Sequence, residues 1–135
     1  MRNIILISFL FLGAGNLSAQ GIQFFEGSYS EALEKAADEG KLVFIDCYTT
    51  WCGPCKWMSA EVFTVEEVGT FFNTHFINVK MDMEKGEGRA MAGKFQIRGY
   101  PTLIIIDPSS GEEVDRALGA QRVDPLLSMG KKAIK

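Results

Sequence analysis

The sequence predicts a single α/β domain in which a mixed central sheet is sandwiched between helices. Three observations lead to this fold class: helical segments alternate with apolar, β-branched runs, the last two such runs flank a strong turn, and no internal repeat interrupts the order. At 135 residues and 47% hydrophobic content, the chain can bury one core but is short for two domains.

The first helix and strand are predicted directly after residue 27. Ser28 or Ser30 can cap a helix through residues 31–37, and Gly40 can close it. The run from Leu42 to Tyr48 is apolar and β-branched except for a single acid, which is typical of a strand covered on both faces. We therefore expect it to be a central parallel strand.

A helix, a second helix and a strand are predicted next. Apolar residues recur with helical spacing from Lys56 to Phe63. Thr64 and Glu67 have the spacing of a capping box, which predicts that Thr64 caps the following helix. The run from Phe76 to Met81 then predicts another strand.

The last part of the chain predicts a short helix, a hairpin and a closing helix. The short helix is predicted over residues 89–95, and the run 102–107 is predicted to form a second fully apolar strand. A Pro-Ser-Ser-Gly turn joins it to an antiparallel strand over residues 112–118. Residues 123–134 form the closing helix.

The first 19 residues have the layout of a secretory signal peptide. Arg2 provides a positive start, Ile4 to Leu12 is apolar, and small residues ending at Ala19 suit cleavage. The apolar run is about half of the roughly 20 residues that span a bilayer, so we expect no stable membrane insertion once the leader is cleaved. The predicted domains are therefore a signal peptide over residues 1–19 and a mature domain over residues 20–135.

Charge and cysteine content narrow the classes of function. Fourteen Lys and Arg against seventeen Asp and Glu, with no basic run, disfavour nucleic acid as a partner. Three cysteines are too few for a disulfide-stapled scaffold, and two of them, Cys52 and Cys55, are only three residues apart. This spacing points to redox chemistry.

The predicted position of this pair, between a strand and a helix, suits thiol–disulfide exchange. The thiolate is the nucleophile, and the unpaired N–H groups at a helix N-terminus would stabilise it on Cys52. Cys55 would lie on the same helix face, within bridging distance. We expect Cys52 to attack a substrate disulfide and Cys55 to resolve the mixed disulfide, while Pro54 is tolerated in the first turn.

Two other uses of the pair are open from the residues alone. A zinc half-site would need further ligands, for which only Cys47 and His75 remain, and Cys47 is more simply a buried apolar residue. A purely structural disulfide would close a loop too short to constrain the unfolded chain much. We expect no metal and no cofactor.

Asp46 is the acid within the apolar strand. A lone carboxylate in such a strand should have a raised pKa, which is the property that a proton carrier needs. A strand-end acid held by backbone donors is the alternative.

The run from Val43 to Lys56 resembles the active-site segment of thioredoxins, and the resemblance extends over most of the chain after the leader. It implies the thioredoxin fold and a redox-active disulfide between Cys52 and Cys55. It also implies that Asp46, six residues before Cys52, shuttles the proton of the second cysteine.

Three further segments carry the resemblance. Residues 98–102 resemble the loop in which the family keeps a cis proline facing the disulfide, which implies that Pro101 is cis and part of the catalytic site. Lys80 falls where the family has a lysine near the buried acid, which implies a modulating role, although a surface salt bridge would explain it too. Residues 118–120 resemble the end of the last strand.

The same resemblance implies a substrate-binding face around the cysteines. Trp51, Gly53 and Pro54 surround the pair in sequence, and Trp51 lies outside the apolar strand. Tyr100 would contact the substrate backbone or simply pack.

The chain departs from plain thioredoxin after the motif. Ala60 stands where thioredoxins typically have proline. The motif Trp-Cys-x-x-Cys-Lys followed by Glu61, Phe63-Thr64 and Val68 is similar to the C-terminal domain of the membrane reductase that delivers electrons to the bacterial periplasm. Stand-alone exported thioredoxin-like proteins are similar too. Together with the predicted signal peptide, the resemblance implies a periplasmic or otherwise exported bacterial protein.

The dipeptide Gly53-Pro54 matches the reducing end of the family, at about −270 mV, against about −120 mV for the strong periplasmic oxidant. We expect a reductase of disulfides in exported proteins, recharged by an upstream electron donor for which a membrane reductase is a candidate. The alternative is a client-binding module whose disulfide is incidental.

Overall fold

A computed structural model of the protein describes residues 20–135, so the predicted signal peptide lies outside the described residues. Five helices and four strands follow one another in this part of the chain. In order, they are α1 (Tyr29–Glu39), β1 (Leu42–Tyr48), α2 (Gly53–Glu61), α3 (Glu66–His75), β2 (Phe76–Asp82), α4 (Gly88–Lys94), β3 (Thr102–Ile106), β4 (Glu113–Leu118) and α5 (Val123–Ala133). Each element was predicted, with ends that differ by a few residues at most.

The four strands form one sheet in the order β2-β1-β3-β4. β1 runs parallel to β2 and antiparallel to β3, and β3 is antiparallel to β4. The mixed sheet is therefore confirmed, and β1 is central as expected, with a parallel neighbour on one side only.

Alternate residues of β1 belong to two separate cores because successive side chains of a strand point to opposite faces. Val43, Ile45 and Cys47 pack into a core that includes residues of α1 and α4. Phe44 packs on the other face with Met58 of α2 and with residues of α3 and α5. Asp46 is two residues after Phe44, so its side chain points to the same face of the sheet, the face that α2 covers.

The ends of α1 agree with the sequence analysis. Ser28 caps the helix, its side chain accepts from the Glu31 N–H, and the Glu31 side chain accepts from the Ser28 N–H, which completes a capping box. Gly40 ends the helix with a left-handed φ of 65°, a conformation that glycine adopts without steric cost.

The predicted capping box at Thr64 is wrong. The N-cap of α3 is Val65, which has no side-chain acceptor for the helix N–H groups. The Thr64 hydroxyl instead donates to the Ala60 carbonyl, 2.6 Å away, at the end of α2. Since a threonine hydroxyl can bond either to the preceding or to the following turn, the spacing to Glu67 alone did not decide which turn it serves.

Within residues 20–135, no helix combines the length and the apolar character required to cross a bilayer.

Candidate active site

The disulfide between Cys52 and Cys55 lies at the N-terminus of α2, directly after the short connection from β1. Cys52 is the N-cap residue of α2 and has an extended backbone, and Pro54 lies in the first turn. The two Cα atoms are 5.3 Å apart, and both cysteines are buried. The short connection from a central strand to a helix therefore holds both sulfurs at the helix N-terminus.

A backbone donor is aimed at the sulfur of Cys52. The N–H of Cys55 donates to Cys52 Sγ at 3.2 Å, which is the bond that an N-cap side chain normally accepts from the third residue of a helix. When the disulfide is reduced, this donor and the helix dipole would favour a negative charge on Cys52.

Asp46 and Lys80 form an ion pair beneath α2. The two residues are register partners in β1 and β2, so their side chains leave the same face of the sheet. Lys80 Nζ donates to Asp46 Oδ2 at 2.7 Å. The side chain of Asp46 is 2% exposed and that of Lys80 is 29% exposed.

Burial raises the pKa of Asp46, and the charge and hydrogen bond of Lys80 oppose that rise without cancelling it. The aromatic rings of Tyr48, Phe24 and Phe63 surround the ammonium group at 4.4, 5.6 and 5.6 Å from their centroids. The carboxyl thus lies in a poorly solvated site with a single cation beside it.

The free cysteine, Cys47, points away from this site. It packs in the core on the opposite face of β1, and burial, together with the charge of Asp46, raises its pKa to about 12. A thiol that stays protonated and buried is a poor nucleophile, which agrees with its predicted role as an apolar core residue.

The loop before β3 lies at the same end of the sheet as the disulfide. Cys47 near the end of β1 is the register partner of Thr102 at the start of β3, and the peptide bond between Tyr100 and Pro101 is cis. The Tyr100 ring contacts the Trp51 ring edge to face, with centroids 5.9 Å apart. This contact brings the proline loop against the residue that precedes Cys52.

Trp51 is held on the surface beside the cysteines. Its side chain is 65% exposed, and its indole N–H donates to Glu84 Oε1 at 2.6 Å. Leu118, at the end of β4, is also largely exposed and comes close to Gly99 in the proline loop. An apolar surface patch therefore borders the disulfide.

Two residues of the site were not singled out by the sequence analysis. Ser59 accepts a hydrogen bond from Lys80 Nζ at 2.8 Å, and Glu84 anchors Trp51. Ser59 follows Cys55 by four residues, so helical spacing could have placed the two on one face. Glu84 follows β2, and nothing in the local sequence indicates its partner.

A cleft of about 450 Å³ opens beside the second cysteine. It is lined by residues of β1, β2 and α2 and of the loop between β1 and α2, namely Tyr48, Thr49, Thr50, Cys55, Lys56, Ser59, Ala60 and Lys80. The cleft connects the surroundings of Cys55 and Lys80 to solvent. Among residues 20–135, no group of three or more His, Cys, Asp or Glu side chains is arranged to hold a metal ion.

A disulfide at the N-terminus of a helix, next to a central strand and a cis-proline loop, defines a thioredoxin-fold protein that exchanges thiols and disulfides. The family model described as thioredoxin-like matches residues 25–108, and the chain belongs to this family.

The comparisons with known proteins agree. The chain is 33% identical over 99 residues to a thioredoxin-like protein of Synechocystis sp., covering 73% of this chain and 88% of that protein. It is 30% identical over 96 residues to protein disulfide-isomerase 1 of Dictyostelium discoideum, of which it spans only 26%. It is 50% identical to a candidate disulphide-isomerase of Bacteroides thetaiotaomicron, whose solution structure superposes with a TM-score of 0.76 and coverages of 87% and 96%.

The family, the relatives and the disulfide together make this protein a thiol–disulfide oxidoreductase.

Proposed function

We propose that the protein is a reductase of disulfides in exported proteins, acting in the bacterial periplasm after residues 1–19 have been removed. The observation that supports this direction is Pro54 in the first turn of α2. An N-cap side chain accepts from the second or third helical residue, and a proline at the second has no N–H to give. Among residues 20–135, the Cys55 N–H is the one donor to Cys52 Sγ.

Fewer donors mean a less stabilised thiolate, and the stability of the thiolate governs the potential. The strong oxidant of the fold is oxidising because its reduced form is stabilised. A dithiol with weaker stabilisation gives up its electrons more readily. The Gly53-Pro54 connection therefore favours reduction of substrates.

In the proposed mechanism, the Cys52 thiolate attacks one sulfur of a substrate disulfide and releases the other as a thiolate. Asp46 accepts the proton of the Cys55 thiol, and the Cys55 thiolate then attacks Cys52 Sγ. This second exchange closes the Cys52–Cys55 disulfide and releases the second substrate thiolate. Two electrons pass from the dithiol to the substrate, and Lys80 modulates the carboxylate of Asp46.

The substrate would be held by the apolar surface around the disulfide. Trp51 is exposed and already fixed in position by Glu84 and Tyr100, so little side-chain freedom would be lost on binding. Pro101 lies in the loop before β3, and Tyr100 of the same loop packs against Trp51. Gly53 has open space around its Cα, which would let a substrate backbone approach closely.

The oxidised form must be recharged after each turnover. The proposed partners are therefore disulfide-containing exported proteins downstream and an electron donor upstream, for which a membrane reductase is a candidate. The proposal for the leader can be tested separately by fusing residues 1–19 to a reporter, which should be exported and cleaved near Ala19.

The direction of electron flow is tested by equilibrating residues 20–135 with glutathione buffers. We expect a potential near the thioredoxin value of about −270 mV, and a value above about −150 mV would overturn the reductase proposal. Insulin reduction by a Cys52→Ser variant tests the enzyme against the client-binding alternative. If the protein is an enzyme, the variant should lose all turnover. If it is a client-binding module, the wild-type protein should already show no turnover, and the variant should keep its affinity for clients.

A further inference from the structure

Ser59 connects the helix that carries the cysteines to the buried ion pair. It lies on α2 four residues after Cys55, so the two side chains leave the same face of the helix. Its hydroxyl oxygen accepts from Lys80 Nζ at 2.8 Å, while the same ammonium donates to Asp46 Oδ2 at 2.7 Å. Lys80 therefore bridges one residue of α2 and one residue of β1.

The second acceptor matters because lysine is a flexible side chain. The side chain of Lys80 is 29% exposed and lines the open cleft next to Cys55, so its ammonium group could turn toward solvent. An ammonium with two fixed acceptors loses that freedom. Ser59 supplies one of them from the element that also positions Cys55.

We propose that Ser59 is a positioning residue that holds the Lys80 ammonium against the Asp46 carboxylate while Cys55 gives up its proton. This inference rests on the role of Asp46 given under the proposed function. In that step, the S–H bond of Cys55 breaks and an O–H bond forms on Asp46. The thiolate then attacks Cys52 Sγ, and the acid later returns its proton to water.

The charged and titratable groups around the ammonium are few. Asp46 of β1 faces it directly, the ring of Tyr48 lies 4.4 Å away, and Cys55 and Lys56 of α2 line the same cleft. Lys80 favours the ionised form of Asp46 through its charge and hydrogen bond. Loosening Lys80 would therefore raise the pKa of Asp46 further, and the carboxylate would be available as a base only at higher pH.

The test compares Ser59→Ala, which removes the acceptor, with Ser59→Thr, which keeps a hydroxyl at the same position. Single-turnover resolution of a mixed disulfide between Cys52 and a peptide thiol is followed as a function of pH. For Ser59→Ala, we expect the rise in resolution rate that follows ionisation of Asp46 to occur at higher pH. At pH values below this rise, resolution should slow about fivefold, the effect typical of one lost hydrogen bond. Ser59→Thr should restore the wild-type profile.

A second measurement separates this inference from the proposed function. NMR titration of the Asp46 carboxyl carbon in the oxidised protein reports the position of Lys80 whether or not Asp46 moves a proton. A titration in Ser59→Ala that coincides with wild type, or a shift that Ser59→Thr shares, would overturn the positioning role. If instead the titration shifts but Asp46→Asn leaves the rate profile unchanged, the base role of Asp46 in the proposed function fails and Ser59 still positions the pair.

Discussion

Replacing Asp46 by asparagine should slow resolution of the mixed disulfide by a factor that depends on pH. Asparagine keeps the size of the side chain and can accept from Lys80, but it cannot take a proton. The Cys55 thiol must then ionise without an internal base before it can attack Cys52. The loss should therefore be greatest where free thiols are mostly protonated.

The size of this loss follows from ordinary thiol chemistry. A thiol with the reference pKa of about 8.5 is roughly 3% ionised at pH 7 and half ionised at pH 8.5. If Asp46 removes this limitation, Asp46→Asn should resolve mixed disulfides about 30-fold more slowly at pH 7 and about twofold more slowly at pH 8.5.

The assay is rapid-quench measurement of peptide thiol released from a Cys52–peptide mixed disulfide, between pH 6 and 9. Asp115→Asn is the matched control, because Asp115 lies on β4 at the edge of the sheet and its substitution should leave every rate unchanged. A ratio of wild-type to Asp46→Asn rates that stays constant across this pH range would refute the argument, since a positional defect is insensitive to thiol ionisation.

Three further predictions concern stability. Because burial raises the pKa of Asp46, the folded chain keeps a proton that the unfolded chain releases, so wild-type stability falls as pH rises through the folded pKa. Asp46→Asn should therefore have the higher urea midpoint above the folded pKa, and the two midpoints should converge at acid pH. Gly69→Ala should lower the free energy of unfolding by about 1–3 kcal/mol, because its new Cβ would meet the backbone of Gly21. Gly93→Ala is the control: it has open space around it and should raise the free energy of unfolding by up to about 1 kcal/mol in the same urea titration. Phe44→Ala should lose about 3–5 kcal/mol in thermal or chemical unfolding, because its fully buried ring contacts three other aromatic rings edge to face.

Most of the fold was predictable because its strongest signals are local. The apolar run of β1, interrupted only by Asp46, and the apolar run of β3 are typical of strands buried on both faces, and the capping box at Ser28 stands directly before its helix. The start of α3 was not predictable in the same way. The hydroxyl of Thr64 could serve the helix before it or the helix after it, and tertiary packing decided between them.

In the site, too, some residues can be recognised from the local sequence and others cannot. The cysteine pair and the acid in β1 stand out in the sequence because their residue types conflict with their surroundings or imply chemistry. Ser59 and Glu84 are ordinary surface-type residues whose role comes from partners on other elements. Only the sheet register and the packing of α2 above it bring Ser59 to Lys80, and no local pattern carries that information.

Asp46 shows why stability and activity should respond in opposite directions here. Lys80 stabilises its carboxylate only in part, because the pKa of Asp46 remains raised by burial. An apolar strand without this acid would be more stable at neutral and alkaline pH. The same burial lets the carboxyl take up and release a proton closer to the pH at which thiols react. Asp46→Asn should therefore be both more stable and slower, and a variant that was slower and less stable would mean that the acid serves the fold rather than the chemistry.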